Sequence, residues 1–234
     1  MANFSQHIGS IFTSNAQGIC VTVNCEGFMG SGLALECSLR YSQINEDYKQ
    51  KCQLGEIKIG STFWYEDNIG NKNSWIVLFP TKGSYKHPSK LDFITKGLIS
   101  LKSEIIAKKL TSIAIPRLGC DLGGLLWANV EPVIIKSLSE LEINVELWNY
   151  EKGENDEVYP KIKSIVQNQD EFALKELGLT RGETEKLTIF FEANPSGTLS
   201  KLLTVPGFGF KRVEKLFNKS DKIVINEKNQ LNLF

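Results

Sequence analysis

Two ionisable side chains lie where apolar runs give way to loops. Lys82 follows the apolar run at 75–80, and Asp121 lies inside the glycine-rich segment PRLGCDLGGLLW (116–127). A neutral lysine amine can attack an electrophilic carbon, and a carboxylate can act as general acid or base. These residue types fit nucleophilic and acid–base chemistry. The alternatives are that Lys82 is a solvated charge and that Asp121 caps its turn.

Two glycine-rich loops accompany these residues. The segment VNCEGFMGSGLALE (23–36) and the segment 116–127 each follow an apolar run and precede a stretch with helical character. Glycine lets the backbone approach a ligand closely, and the free N–H groups that open a helix attract anions such as pyrophosphate. One such loop alone is more often a simple tight turn. Two of them, each after a strand, predict a clamp on a single diphosphate.

The elements that position these loops are predicted by short apolar runs rich in β-branched residues. The runs are nearly continuous, as in strands buried on both faces, and they cover residues 19–24, 75–80, 112–116 and 143–148. Apolar residues at spacings of three and four predict helices over 91–106 and 130–141. This alternation favours an α/β fold with a mostly parallel sheet covered by helices, whose ligand lies beyond the carboxyl ends of the strands.

The composition narrows the class of protein. Twenty-seven basic and 27 acidic residues cancel, which excludes a strongly basic surface at whole-chain level. The five cysteines lack CxxC spacing and nearby histidines, which argues against a disulfide framework and a zinc site. No signal segment and no stretch of roughly 20 apolar residues is visible. We therefore expect a cytoplasmic protein that touches no membrane and uses no metal or redox cofactor.

A change in composition predicts two domains. The polar run NYEKGENDEVYPK (149–161) carries four acidic residues and a proline and fits a domain boundary. We expect one domain over 1–152 and a small, mainly helical domain over 153–234. Within the latter, LTIFFEA (187–193) fits either a strand or a buried helix.

Four segments, in their order and spacing, resemble the macrodomain family over about residues 5–150. They are VNCEGFMGSGLA, YKQKCQLGEIKIG, FPTK and IAIPRLGCDLGGLLW. The resemblance is closest to the branch that contains the terminal ADP-ribose protein glycohydrolase and the bacterial DNA ADP-ribosyl glycohydrolase antitoxins. It implies a macrodomain fold, with a mixed, mostly parallel sheet sandwiched by helices, and ADP-ribose as the ligand.

The resemblance also implies a set of contacts with ADP-ribose. They are Ser10, Ile11, Asn24, Gly30, Ser31, Gly32, Leu33, Thr81, Gly119, Cys120, Leu122, Gly123, Gly124 and Leu125. Asn24 falls where the family has an asparagine near the distal ribose, although a turn residue that satisfies its own backbone is the alternative. Ser10 stands where many members have an aspartate that binds the adenine amino group. We therefore expect adenine to be held less firmly.

The catalytic assignments implied by the resemblance centre on Lys82. It falls where the nearest branch has a lysine implicated in attack on the anomeric carbon of the distal ribose, and the nearby cation Lys86 would favour its neutral form. The protein glycohydrolase has a catalytic aspartate where this chain has Gly123, so Asp121 is the weaker candidate. The function implied is a glycohydrolase that removes ADP-ribose from a macromolecule. The alternatives are a non-catalytic reader of ADP-ribose and a hydrolase of a small ADP-ribose metabolite.

The segment LLTVPGFGFKRVEKLF (202–217) resembles a helix-hairpin-helix element. Gly207 and Gly209 would form the hairpin, and Lys211 and Arg212 would assist backbone N–H groups in binding nucleic-acid phosphates, independently of sequence. This interpretation favours DNA over protein as the carrier of ADP-ribose and predicts contact with single-stranded DNA. The alternatives are an ordinary turn between two helices and a docking surface for a partner such as a cognate ADP-ribosyltransferase toxin.

Overall fold

The computed structural model describes residues 1–67, 75–151, 153–220 and 223. The chain divides into two compact units, Met1–Glu151 and Lys152–Phe234. Each unit has its own helices and its own buried side chains.

The first unit is built on a six-stranded sheet. Its strands are β1 (Asn3–Ile8), β2 (Gly18–Asn24), β3 (Phe63–Glu66), β4 (Trp75–Lys82), β5 (Ser112–Pro116) and β6 (Asn144–Asn149), in the order β1-β6-β5-β2-β4-β3. Every neighbouring pair is parallel except β3 and β4. The carboxyl ends of the five parallel strands therefore meet at one edge of the sheet, which is where ligands of such sheets bind.

Helices cover both faces of this sheet. They are α1 (Gly32–Arg40), α2 (Ser42–Gln53), α3 (Leu91–Lys108) and α4 (Trp127–Leu138). One apolar core lies between the sheet and α3 and α4, and a second lies between the sheet and the α1–α2 pair. The expected α/β fold, with a mixed and mostly parallel sheet between helices, is confirmed.

The apolar runs identified four of the six strands to within two residues. β2 and β4 are buried along nearly their whole length, which is why their sequences are continuously apolar. β1 and β3 were not predicted. They are edge strands. Four of the six residues of β1 are exposed and two are half-buried, and β3 has three half-buried residues and one exposed. An edge position does not require the long apolar run that marks a central strand.

The second unit is mainly helical, as expected. Its elements are α5 (Tyr159–Gln167), α6 (Glu171–Leu177), α7 (Arg181–Ala193), a 3-10 helix (Leu199–Thr204) and α8 (Phe210–Ser220). The segment 187–193 is the end of α7, which begins with a capping box between Thr180 and Glu183. Among the described residues, no helix combines the length and the apolar character that a membrane span requires.

Candidate active site

Loop 1 (residues 24–34) follows β2 and is ordered by the side chain of Asn24. Its Oδ1 accepts hydrogen bonds from the N–H groups of Glu26 (2.8 Å) and Phe28 (3.4 Å), and its Nδ2 donates to the carbonyl of Phe28 (2.7 Å). The hydroxyl of Tyr48 donates to the Asn24 carbonyl at 2.7 Å. The side chain of Asn24 is therefore used in shaping the loop. Its contact with a ribose stays a prediction.

The last part of loop 1 opens helix α1. The first helical hydrogen bond runs from the N–H of Leu35 to the carbonyl of Ser31, at 3.2 Å. The N–H groups of Gly32 and Leu33 precede that bond, and the hydroxyl of Ser31 does not cap them. Gly30 is exposed, with no heavy atom within 4 Å of where its Cβ would be. This open helix start is suited to an anion such as a phosphate.

Loop 2 (residues 117–126) follows β5 and is tightly hydrogen-bonded within itself. Its internal donors are the N–H groups of Cys120, Gly123, Gly124 and Leu125, which bind the carbonyls of Arg117, Cys120, Asp121 and Gly119, respectively. The N–H groups of Gly119, Asp121 and Leu122 have no partner within the described part of the chain. An anion at loop 2 would therefore be held by these three groups rather than by those of Gly123 to Leu125.

Ser89, which the sequence did not indicate as part of the site, packs against loop 2 and binds it. Its N–H donates to the carbonyl of Gly123 at 2.8 Å, and its side chain is buried. A Cβ at Gly123 would lie 2.5 Å from the Ser89 Oγ, and a Cβ at Gly119 would lie 3.0 Å from the Ser89 Cβ. A Cβ at either position would therefore require Ser89 or its neighbours to shift. The Oγ of Ser89 itself has no hydrogen-bond partner among the described residues.

Lys82 and Leu122 bring the two loops together. The amine of Lys82, at the end of β4, donates to the carbonyl oxygen of Leu122 at 2.8 Å. A Cβ at Gly32 would lie 3.9 Å from the Cδ1 of Leu122, so the Leu122 side chain also reaches loop 1. Thr81 is buried, and its hydroxyl lies 3.5 Å from the carbonyl of Val23. An amine therefore lies between two loops that each offer free N–H groups.

The other candidates for chemistry in the loops differ in exposure. Asp121 is exposed and has a left-handed backbone (φ +44°). Its carboxylate makes no hydrogen bond with the described residues, so it is available to a ligand and does not cap the turn. Burial raises the pKa of the Cys25 thiol to about 11 and also raises that of Cys120. Thiols that stay protonated are poor nucleophiles, which fits the interpretation of these cysteines as packing residues.

Ser10 and Ile11 lie at the other end of the same sheet edge. They follow β1, where the N–H of Gly9 donates to the carbonyl of Asn149 in β6. Both are buried, and the Ile11 side chain belongs to the core. Four strand spacings separate β1 from β4, which is about 19 Å at the usual spacing of about 4.8 Å. The predicted contacts for adenine and for the distal ribose thus lie at opposite ends of an extended edge.

The hairpin in the second unit joins the 3-10 helix to α8. Gly207 has φ +91°, and α8 begins directly after Gly209. The guanidinium of Arg212 binds both carboxylate oxygens of Glu183, at 2.7 and 2.9 Å, and lowers the pKa of that carboxyl to about 2. Arg212 therefore has a partner inside the unit. The side chain of Lys211 is 87% exposed and lies 3.3 Å from Glu214.

No group of three or more histidine, cysteine, aspartate or glutamate residues within the described ranges could hold a metal ion. The groups of the site that can take part in chemistry are the amine of Lys82, the exposed carboxylate of Asp121 and the N–H groups of the two loops.

The comparisons with known proteins agree with this architecture. The Macro domain family profile matches residues 20–134. A DNA ADP-ribosyl glycohydrolase of Thermus aquaticus is 35% identical over 158 residues, which are 68% of this chain and 42% of that protein. A DNA ADP-ribosyl transferase-DNA ADP-ribosyl glycohydrolase fusion protein of Thermosipho africanus is 30% identical over 161 residues, 62% of this chain and 42% of that protein. This chain thus spans about two fifths of the length of these relatives.

A solved structure, the macrodomain of Mycobacterium tuberculosis DarG, is similar over its whole length. It is 32% identical with a TM-score of 0.59, and the match covers 62% of this chain and 98% of that one. The similarity therefore extends over nearly the complete macrodomain of that protein.

Proposed function

Because this chain belongs to the macrodomain family, we propose that it is an ADP-ribosyl glycohydrolase that removes ADP-ribose from a modified macromolecule. The observation that carries the proposal is the hydrogen bond from Lys82 to Leu122, which holds an amine between two glycine-rich loops. Relatives that are 30–35% identical bear the name DNA ADP-ribosyl glycohydrolase in whole or in part. Their names support a glycosidic bond as the bond that is cleaved.

ADP-ribose would lie along the carboxyl edge of the sheet. Its adenine end would be near Ser10 and Ile11, and its diphosphate would lie between the start of α1 and loop 2, where N–H groups are free. Its distal ribose would then be next to Lys82. Loop 2 would contribute the N–H groups of Gly119, Asp121 and Leu122, since those of Gly123 to Leu125 are already bonded.

In the proposed reaction Lys82 is the nucleophile. Its neutral amine attacks C1″ of the distal ribose, and the electron pair of the glycosidic bond leaves with the base or carboxylate, which takes up a proton. The new nitrogen–carbon adduct loses a proton and opens to a Schiff base. Water then hydrolyses the Schiff base, which frees ADP-ribose and restores the amine. The hydrogen bond to Leu122 would orient the amine for attack.

Asp121 is proposed as the group that moves the proton. Its carboxylate is exposed on loop 2, one residue before Leu122, whose carbonyl accepts from Lys82. A carboxylic acid next to the scissile bond can protonate a leaving group. The left-handed backbone at Asp121 is uncommon for a residue other than glycine, and such conformations cluster at functional sites.

We propose DNA rather than protein as the carrier of ADP-ribose, bound as a single strand. The names of the relatives and the basic residues around the hairpin of the second unit support this choice. The fusion protein among the relatives supports an ADP-ribosyltransferase toxin as the partner whose modification is reversed, with this chain as the antitoxin. Five free thiols would remain reduced in the cytoplasm, which is the compartment we propose.

Release of free ADP-ribose from an ADP-ribosylated single-stranded oligonucleotide tests the proposal, with an ADP-ribosylated peptide as the second substrate. Wild-type protein should release ADP-ribose from the oligonucleotide, and Lys82→Ala should not. Lys136→Ala, which removes an exposed lysine from α4, is the matched control and should be fully active. Binding of ADP-ribose without release from either substrate would favour a reader, in which the bond from Lys82 to Leu122 only holds the loops together. If Lys82→Ala released ADP-ribose as fast as wild type, Lys82 would not be the nucleophile.

A further inference from the structure

Two aromatic side chains lie exposed and in contact at the rim of the loops. Phe28 in loop 1 is 55% exposed and Tyr85, after β4, is 46% exposed. Their ring centroids are 4.7 Å apart, and the rings are inclined at 51°. A pair of large rings that contact each other and remain open to solvent offers an apolar surface to a ligand.

The aromatic pair is held in place by hydrogen bonds between its two segments. A carboxylate oxygen of Glu26 accepts from the hydroxyl of Ser84 (3.0 Å) and from the N–H of Tyr85 (3.2 Å). The N–H of Cys25 donates to the carbonyl of Gly83 at 3.0 Å. Three bonds thus tie the turn after β4 to loop 1, so the rings are positioned before any ligand arrives.

Positive charge accompanies the rings. The ammonium of Lys86 lies 5.6 Å from the centroid of the Tyr85 ring, and Lys86 is exposed. Only Gly83 and Ser84 separate Lys82 from Tyr85, so Tyr85 belongs to the turn that directly follows the proposed nucleophile. Exposed aromatic faces with a nearby cation are the combination that binds single-stranded nucleic acids, through base stacking and phosphate contact.

We propose that Phe28 and Tyr85 form a stacking platform for the unpaired base that flanks the ADP-ribosylated base in a single strand, with Lys86 on the adjoining phosphate. This proposal rests on the proposed function. It deepens that function by assigning contacts with the nucleic acid to the first unit. Glu26 is a positioning residue, since it fixes the turn that carries Tyr85. Stacking is tolerant of sequence because every base has a π-face.

The test compares two substrates, an ADP-ribosylated oligonucleotide and the matching ADP-ribosylated mononucleoside, which lacks a flanking base. Tyr85→Ala should lower the ratio of kcat/KM for the oligonucleotide to kcat/KM for the mononucleoside by roughly tenfold, the scale of a lost base stack. The lower kcat/KM for the oligonucleotide should come mainly from a higher KM. Tyr85→Phe keeps the ring and should restore the ratio, while Phe172→Ala, which removes a 74% exposed ring from the second unit, should leave it unchanged. An unchanged ratio for Tyr85→Ala would overturn the platform.

A second measurement separates failure of the platform from failure of the proposed function. Fluorescence anisotropy with an unmodified single-stranded oligonucleotide reports stacking without catalysis. If wild-type protein released nothing from either substrate, the proposed glycohydrolase action on modified DNA would be disproved. The platform would then be supported if Tyr85→Ala and Glu26→Ala bound the oligonucleotide more weakly than wild type. Affinities equal to that of wild type would refute it.

Discussion

The amine of Lys82 and the carbonyl oxygen of Leu122 are 2.8 Å apart, which joins the end of β4 to loop 2 across the candidate site. The Leu122 side chain also approaches Gly32 at the start of α1. One residue of loop 2 thus contacts both the proposed nucleophile and the proposed phosphate site. The position of the amine is therefore coupled to the conformation of loop 2.

Lys82→Arg separates nucleophilic attack from the structural role of the lysine. The guanidinium can still donate to a carbonyl, but it stays protonated and cannot attack C1″. We expect kcat for release of ADP-ribose to fall by about 100-fold or more, the lower end of what a side chain acting on the reacting atoms contributes. The affinity for free ADP-ribose, measured by calorimetry, should change far less. Substantial turnover by Lys82→Arg would show that Lys82 acts as a positive charge only.

Gly123→Ala should destabilise the first unit because the new Cβ would lie 2.5 Å from the Oγ of Ser89. Overpacking of this kind costs about 1–3 kcal/mol. Gly30→Ala is the matched control, since nothing lies within 4 Å of its Cβ and its φ is not positive. Thermal unfolding followed by the tryptophans checks the difference, because all four of them are in the first unit.

The double variant Gly123→Ala/Ser89→Ala identifies the cause of that loss. Removing the Oγ leaves the Ser89 Cβ as the nearest atom, at 3.2 Å, so most of the stability should return. Ser89→Ala alone deletes a buried hydroxyl without a partner, and it should be neutral or slightly stabilising. If the two substitutions changed the free energy of unfolding additively, the contact with the Ser89 Oγ would not be the cause of the loss.

The central strands and the two glycine loops could be predicted because burial on both faces and close backbone approach each restrict the residue types. β1 and β3 could not, since an edge strand needs few apolar residues. Ser89 gave no signal either. Ser89 matters because it lies just before α3 and packs against loop 2. This contact between distant segments leaves no pattern in the local sequence.

The ion pair between Glu183 and Arg212 predicts a pH dependence of the second unit. Arg212 holds the pKa of the Glu183 carboxyl at about 2 in the folded state, below its ordinary value of 4.5. The stabilisation is therefore complete above about pH 4.5 and is lost as the pH falls from there to about 2. The protection factors of amide hydrogens in α7 and α8, which are exchange rates corrected for the intrinsic rate at each pH, should fall over this range. Glu183→Gln, which cannot ionise, should remove this part of the pH dependence, and an unchanged profile would show that the pair contributes nothing.

Lys211 provides the test of the hairpin as a nucleic-acid surface. Its side chain is 87% exposed near the start of α8 and has only a surface ion pair with Glu214, whereas the half-buried Arg212 is engaged with Glu183. Each phosphate contact with a single strand contributes about 0.7 to the slope of log K against log salt. Lys211→Ala should therefore reduce the slope for oligonucleotide binding by about that amount, equally for different sequences. Lys175→Ala removes an exposed lysine of α6 and should leave the slope unchanged. Equal slopes for Lys211→Ala and wild type would leave the hairpin as a turn between packed helices and assign nucleic-acid binding to the first unit.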